Sequence, residues 1–211
     1  MPERDASDKS EEPRVRVSDA ARMKALSHPA RIAVFDYLGS LQARGQESAT
    51  ATEISQHTGL SPSAMSYHLR TLAKAGFIEE AEGRGDKRER AWKLILGSFD
   101  LSAEADGPPS AFIAENATVR TMLDHDVKEV RKALDRRLEE QGRGVVSETS
   151  FLNRTRLTLT KEQAVEFNKD FQALLNRYDK HPDGNTVPAD DEYVFRMISY
   201  FYVEFPEEPQ R

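Results

Sequence analysis

The sequence predicts a mainly helical α+β protein with two unlike halves. Three observations carry that reading: two capped helices joined by a short glycine-containing turn, a basic hairpin directly after them, and a long run free of proline and glycine whose apolar residues recur at three- and four-residue steps. At 211 residues the chain is long enough for one ordinary core and a smaller annex.

Residues 1–17 are charged, contain prolines and offer few large apolar side chains, so they are expected to stay unordered. From Ser18 the pattern turns helical through Ala21, Leu26 and Ala30. Pro29 suits a first helical position, and Ile32, Phe35, Leu38 and Leu41 continue an amphipathic helix that Ala43-Arg44-Gly45 ends. Thr50-Ala51-Thr52-Glu53 is a capping-box pattern for a short helix to about Thr58, and Gly59 suits a left-handed cap. Ser61-Pro62 repeats the start signal for a second helix, which Gly76 closes after Ala75. Residues 77–82 and 88–95 read as strands around the turn Gly83-Arg84-Gly85-Asp86. These elements define a winged helix-turn-helix domain over 18–96, followed by a linker over 97–110.

Residues 111–142 read as one long helix, with Phe112, Val119, Leu123, Val127, Val130, Leu134 and Leu138 forming a narrow stripe. A narrow stripe on so long a helix favours packing against another helix, so this one is expected to mediate dimerisation. Residues 143–211 read as a small strand–helix–strand annex: strand 147–159, helix 161–178 capped by Thr160 with Gln163, and strand 193–203. Its aromatics Tyr193, Phe195, Tyr200, Phe201, Tyr202 and Phe205 are annex core and dimer interface in the simplest reading. With Phe151, Phe167 and Phe171 they could instead line a pocket for an unidentified small-molecule effector.

Composition narrows the function. The chain has no cysteine, which removes thiolate metal sites, Cys-x-x-Cys redox chemistry and a cysteine nucleophile. No apolar run approaches the ~20 residues of a membrane span, and Met1-Pro2-Glu3-Arg4-Asp5 does not open a signal peptide, so a cytoplasmic protein without membrane association is expected. The net charge of −6 resides wholly in residues 101–211, because residues 1–100 hold fifteen basic and fifteen acidic side chains. No Gly-x-Ser-x-Gly context and no glycine-rich phosphate loop occur, so an enzyme is not expected. Neither is a cofactor.

In the helix over 61–75, Met65, Leu69 and Leu72 share one face, while Ser63, Ser66, Tyr67, Arg70 and Lys74 share the other. Small hydroxyls near the first turn, beginning at Ser61, allow close approach to a major groove. Tyr67 and Arg70 are long enough to reach base edges or phosphates. The hairpin adds Arg84, Lys87, Arg88, Arg90 and Lys93 with acids between them, which reads either as a solvated ribbon or as a wing for phosphate or the minor groove. Over residues 61–95 seven basic residues face five acidic ones, a small surplus that calls for few phosphate contacts per subunit. Asp124-His125-Asp126 with Glu129 carries metal-ligating residue types. One histidine among acids on a charged helix is more often a solvated face, and no metal site is expected. His28, His57 and His181 are scattered and support no site.

Leu26-Ser27-His28-Pro29-Ala30-Arg31-Ile32 resembles the second-helix opening of ArsR-type winged-helix regulators. Thr52-Glu53-Ile54-Ser55, the run from Leu60 to Leu72, and Ala75-Gly76-Phe77-Ile78 resemble that family's helix-turn-helix, and residues 83–92 resemble its wing. The resemblance covers about residues 20–95. It implies a homodimeric repressor on double-stranded DNA, with a palindromic operator, the 61–75 helix in the major groove and Arg84, Lys87, Arg88 and Arg90 as wing contacts to phosphate or the minor groove. His68 matches a frequent family histidine, for which a phosphate contact and core packing are both open. The chain departs from the family in lacking sensor cysteines and in its C-terminal extension, which resembles that of a larger subgroup. The alternative function is a winged-helix interaction or dimerisation module that does not touch DNA.

Overall fold

The computed structural model describes residues 15–81, 90–97, 99–141, 155–178 and 196–202. In chain order it comprises β1 (Val15–Val17), α1 (Ala20–Leu26), α2 (Pro29–Gln42), β2 (Ala49–Thr50), α3 (Ala51–Thr58), α4 (Pro62–Lys74), β3 (Ile78–Ala81), β4 (Ala91–Leu94), β5 (Phe99–Leu101), α5 (Pro109–Gln141) and α6 (Lys161–Tyr178).

Local chemistry sets the helix limits in the first half. Asp19 caps α1 by accepting from the Arg22 backbone N–H at 2.8 Å. Thr50 and Glu53 complete the capping box of α3: the Glu53 N–H donates to Thr50 Oγ1, and the Thr50 N–H donates to Glu53 Oε2. Gly59 then ends α3 at φ +72°, a left-handed conformation that would strain any residue with a Cβ. Ser61 caps α4, Pro62 occupies its first turn, and Gly76 follows its end, also at φ +72°.

These helices enclose one core. Met23 and Leu26 of α1, Val34 and Leu38 of α2, Ile54 of α3, and Met65, Leu69 and Leu72 of α4 meet Phe77, Ile78 and Trp92. The three-stranded sheet runs in the order β2-β4-β3, all antiparallel, with Thr50 opposite Ala91 and Ile78 opposite Leu94. β2 thus fastens the start of α3 to the stem of the hairpin. At the exit of α4, Arg22 donates to the Ala75 carbonyl at 3.1 Å and lies 5.2 Å above the Phe77 ring, closing that corner of the core.

Two expectations change here. Val15–Val17, at the end of the stretch expected to stay unordered, forms β1 and pairs in parallel with β5, which lies within the expected linker. Val17 is fully buried, and Arg16 donates to Ser102 Oγ at 2.8 Å. Three residues can be fixed in this way because each strand satisfies the other's backbone groups, a signal too short for alternation to reveal. The linker also buries Ala103, whose N–H donates to Glu115 of α5. The second change concerns the annex strands. Their described parts, 155–159 and 196–202, are exposed and are not in a sheet. Apolar alternation forecasts a strand only where a neighbouring strand supplies hydrogen bonds and a face to bury. The remaining residues of both, with Phe151, Tyr193, Phe195 and Phe205, lie outside the described residues.

α5 contains 33 residues, about 50 Å at roughly 1.5 Å per residue. Its first half lies against α1 and α2 through a face of small side chains. Ala111 and Thr118 are buried there, with Ala114 and Met122 partly so. The Thr118 hydroxyl lies 2.7 Å from the Met23 carbonyl and 2.8 Å from that of Ala114. The apolar stripe read from the sequence lies roughly a third of a turn away from that face, at 100° per residue. Phe112, Val127, Val130 and Leu134 on that stripe are exposed.

α6 buries none of its residues. Phe167 and Phe171 meet Phe201 at ring-centroid distances of 5.4 and 5.1 Å, and Tyr200 stacks on Tyr202. The annex reaches the first half through Arg196, whose guanidinium bridges Asp36 of α2 at 2.8 Å and Asp126 of α5 at 2.7 Å. His125 Nε2 lies 3.2 Å from the same Asp36 carboxylate. The sequence suggested His125 and Asp126 as metal-ligand types; here they belong to this ionic network. Burial alone would raise the Asp36 pKa, but His125 and Arg196 outweigh it and lower it, whereas burial dominates at Asp126 and raises it.

Candidate nucleic-acid interface

α4 divides cleanly into two faces. Met65, His68, Leu69 and Leu72 are buried at the three- and four-residue spacing of one helical stripe. Ser63, Ser66, Tyr67, Arg70 and Lys74 occupy the opposite stripe, and all are exposed, as is Ser61 at the cap. Tyr67 is 59% exposed, an unusual degree for a large ring on a helix that is otherwise well packed. No described part of the annex covers this face.

The first turn is presented by its own hydrogen bonds. Ser61 Oγ accepts from the Ala64 N–H at 3.3 Å and lies 3.3 Å from Ser63 Oγ. Ser66 Oγ donates back to the Pro62 carbonyl at 3.0 Å. Small hydroxyls and the dipole's positive end together make this turn suited to a phosphate or a groove edge. Arg70 and Lys74 add positive charge along the same stripe.

His68 stands apart from the other candidate residues. It is 8% exposed and lies on the inward stripe, with its ring centroid 4.6 Å from that of His28, the N-cap of α2. In the free protein the ring packs against His28 and the core rather than standing among the exposed side chains of α4. The position itself carries the signal: three residues after Met65 and four before Leu72 is a core position. Burial first, then the neighbouring His28 and Arg31, lowers the His68 pKa, so the ring is held neutral.

The hairpin is described only at its base. Arg84, Lys87 and Arg88 lie outside the described residues. Arg90 is exposed, and its Nη1 lies 2.6 Å from Glu80 Oε1 across the stem. Lys93 similarly pairs with Glu79 at 3.1 Å. Two of the expected wing cations are thus matched by acids of β3. Exposed pairs of this kind are worth about 0–1 kcal/mol and yield readily to a stronger anion.

Sequence reasoning missed the surroundings of His28. It groups with Arg31, Tyr67 and His68 at the junction of α2 and α4. Spacing could not expose this cluster, since the two histidines come from different helices.

Residues 26–81 match the family model of a helix-turn-helix domain. These residues form a helix-turn-helix domain. Comparison with curated proteins finds no match. Among solved structures, a double mutant of Lactococcus lactis ZitR in apo form is similar at 17% identity, covering 69% of this chain and 81% of that one with a TM-score of 0.28. A disulfide-formed structure of AbfR is similar at 21% identity, covering 51% and 70% with a TM-score of 0.23. Both scores are too low to argue a shared overall fold. Among the described residues, no helix is long and apolar enough to cross a membrane.

Proposed function

We propose that the protein is a homodimeric, sequence-specific DNA-binding repressor of the cytoplasm, in which the helix-turn-helix domain inserts α4 into the major groove. The observation that carries this reading is the division of α4: one stripe locked into the core, the other bare and made of serines, Tyr67, Arg70 and Lys74. A helix held rigidly by one face while offering hydroxyls, a long aromatic and cations on the other has the form that groove readout requires. The wing residues Arg84, Lys87, Arg88 and Arg90 would hold the backbone. The exposed stripe of Val127, Val130 and Leu134 on α5 supports a second copy as the dimer partner, since apolar side chains three and four residues apart are the seam of a helix pair. Two recognition helices would then meet half-sites roughly 34–36 Å apart. The aromatics of the annex remain the place for a small-molecule effector.

Selection of bound fragments from a random duplex pool tests the proposal. It predicts enrichment of one inverted repeat, and a pool that stays unenriched through successive rounds would contradict it. A second reading, a protein-interaction module, is favoured by one observation: Glu79 and Glu80 neutralise cations at the wing base. It predicts capture of a protein partner by the α4 face with no duplex retained.

A further inference from the structure

The junction of α2 and α4 holds cationic groups with no matching acid. The His28 ring, exposed at the start of α2, accepts from the Ala30 N–H through Nδ1 at 3.1 Å, which fixes its proton on Nε2. Arg31, one turn on, donates through Nη2 to the Lys24 carbonyl at 3.2 Å, but its Nε is buried without a partner. His68 is more than nine-tenths buried against His28, and its Nδ1 also has no partner. Tyr67 sets its ring edge against His68, with centroids 5.5 Å apart, and reaches from there to the exposed face of α4. The charged and titratable groups facing the pair are Arg31 from α2 and Tyr67 from α4. Among the described residues no carboxylate acts on Arg31 or His68.

Buried polar atoms without partners are costly and uncommon in folded proteins. Here they lie within a cluster that an anion would complete, at the N-terminus of a fourteen-residue helix whose dipole adds positive potential. Its neighbour on the exposed side is Tyr67, in the middle of the stripe assigned to the groove. We propose that His28, Arg31 and His68 form a seat for one backbone phosphate of the duplex that α4 reads, and that filling the seat draws a proton onto His68. The inference rests on the DNA-binding reading and deepens it, because it adds contacts from α2 and makes binding pH-dependent.

The direction follows from the charges. In the free protein, burial first and then the neighbouring His28 and Arg31 lower the His68 pKa. A phosphate offsets the repulsion from His28 and Arg31, so the complex binds more protons than the free protein. Affinity therefore rises as pH falls through the ordinary histidine range near about 6.5. A buried pair serving only for packing would leave affinity indifferent to pH.

The test uses the full chain and the duplex enriched from the random pool, titrated at pH 7.5 and pH 6.0 at constant ionic strength. The wild type is expected to bind about three- to tenfold more tightly at pH 6.0, the gain available from uptake of up to one proton. His28→Asn keeps a side chain that can cap α2 but removes the ring that packs on His68 and completes the seat; it should lose most of that gain and show a smaller salt slope. His28→Asp also keeps the cap while placing a negative charge in the seat, and should weaken binding at pH 7.5 by about tenfold. Thermal unfolding of both variants verifies that α2 is intact. Wild-type affinity equal at the two pH values, or a His28→Asn protein that keeps the full pH gain, overturns the phosphate seat and leaves groove reading by α4 standing. Failure of the wild type to retain any duplex overturns the DNA reading, and the seat with it.

Discussion

The helix-turn-helix domain and the annex are built from similar kinds of residue yet are stabilised in different ways. α4 has capping residues, a proline in its first turn and a complete buried stripe. α6 has a comparable cap, in which the Gln163 N–H donates to Thr160 Oγ1 and the Thr160 N–H donates to Gln163 Oε1, and its apolar residues are equally periodic. None of its side chains is buried. Local signals can start and stop a helix, but removal of apolar area from water holds it, at about 25 cal/mol per Å². The first region finds that cover within its own fold. The second leaves Val165, Leu174 and Tyr178 exposed.

The largest effect expected from this contrast is on stability. Leu72→Ala removes a fully buried side chain of α4 and should cost about 2–5 kcal/mol in chemical denaturation. Leu174→Ala in α6 should cost no more than about 0.5 kcal/mol in dilute protein, as expected for an exposed site. A Leu174→Ala penalty that grows with protein concentration would sharpen the comparison by assigning α6 to a contact between copies.

Two smaller losses probe the supports of the first region. Thr118→Val deletes the hydroxyl that faces the Met23 carbonyl at the α1–α5 contact, and should cost about 1–3 kcal/mol. Gly59→Ala meets no neighbouring atom within 4 Å but must hold φ at +72°, so a loss of about 1–2 kcal/mol would come from backbone strain alone. Equal stability of Gly59→Ala and wild type, measured by urea unfolding, would show that the turn between α3 and α4 relaxes.

The smallest effect is expected where the two regions touch. Arg196→Ala should change global stability by less than about 1 kcal/mol, because the ion pairs are partly exposed. It should nevertheless speed protease cleavage within residues 196–202, which Arg196 ties to α2 and α5. The Asp36 pKa is depressed, so its contribution is present above the ordinary carboxylate range and is lost as pH falls through its lowered value. Asp126 has a raised pKa and loses its charge earlier on the same descent, so acidification should release Arg196 from Asp126 before Asp36. An unchanged cleavage rate in the Arg196→Ala protein would remove this network as the link between the regions.

Local chemistry made much of the first region legible in advance. Thr50, Glu53, Gly59, Ser61, Pro62 and Gly76 act through their immediate neighbours, so they could be read from spacing alone, as could the two stripes of α4. β1, β2 and β5 were not legible, because strands of two or three residues are defined by a remote partner. The His28–His68 contact and the bridge of Arg196 to Asp36 and Asp126 were hidden for the same reason. At α5 the periodicity of the stripe was legible, but not which face the domain would use. The domain takes the small residues around Ala111 and Thr118, which allow close backbone approach, and leaves the large ones outside.

The central claim is that the bare stripe of α4 reads DNA. The most direct measurement is a salt-titrated mobility shift of the full chain on its selected duplex, with Tyr67→Ala and Arg70→Ala beside the wild type. The account predicts a steep loss of wild-type affinity with salt, a weaker complex for Arg70→Ala by about 1–3 kcal/mol, and an altered base preference for Tyr67→Ala. Affinity and preference identical in all three proteins would contradict it.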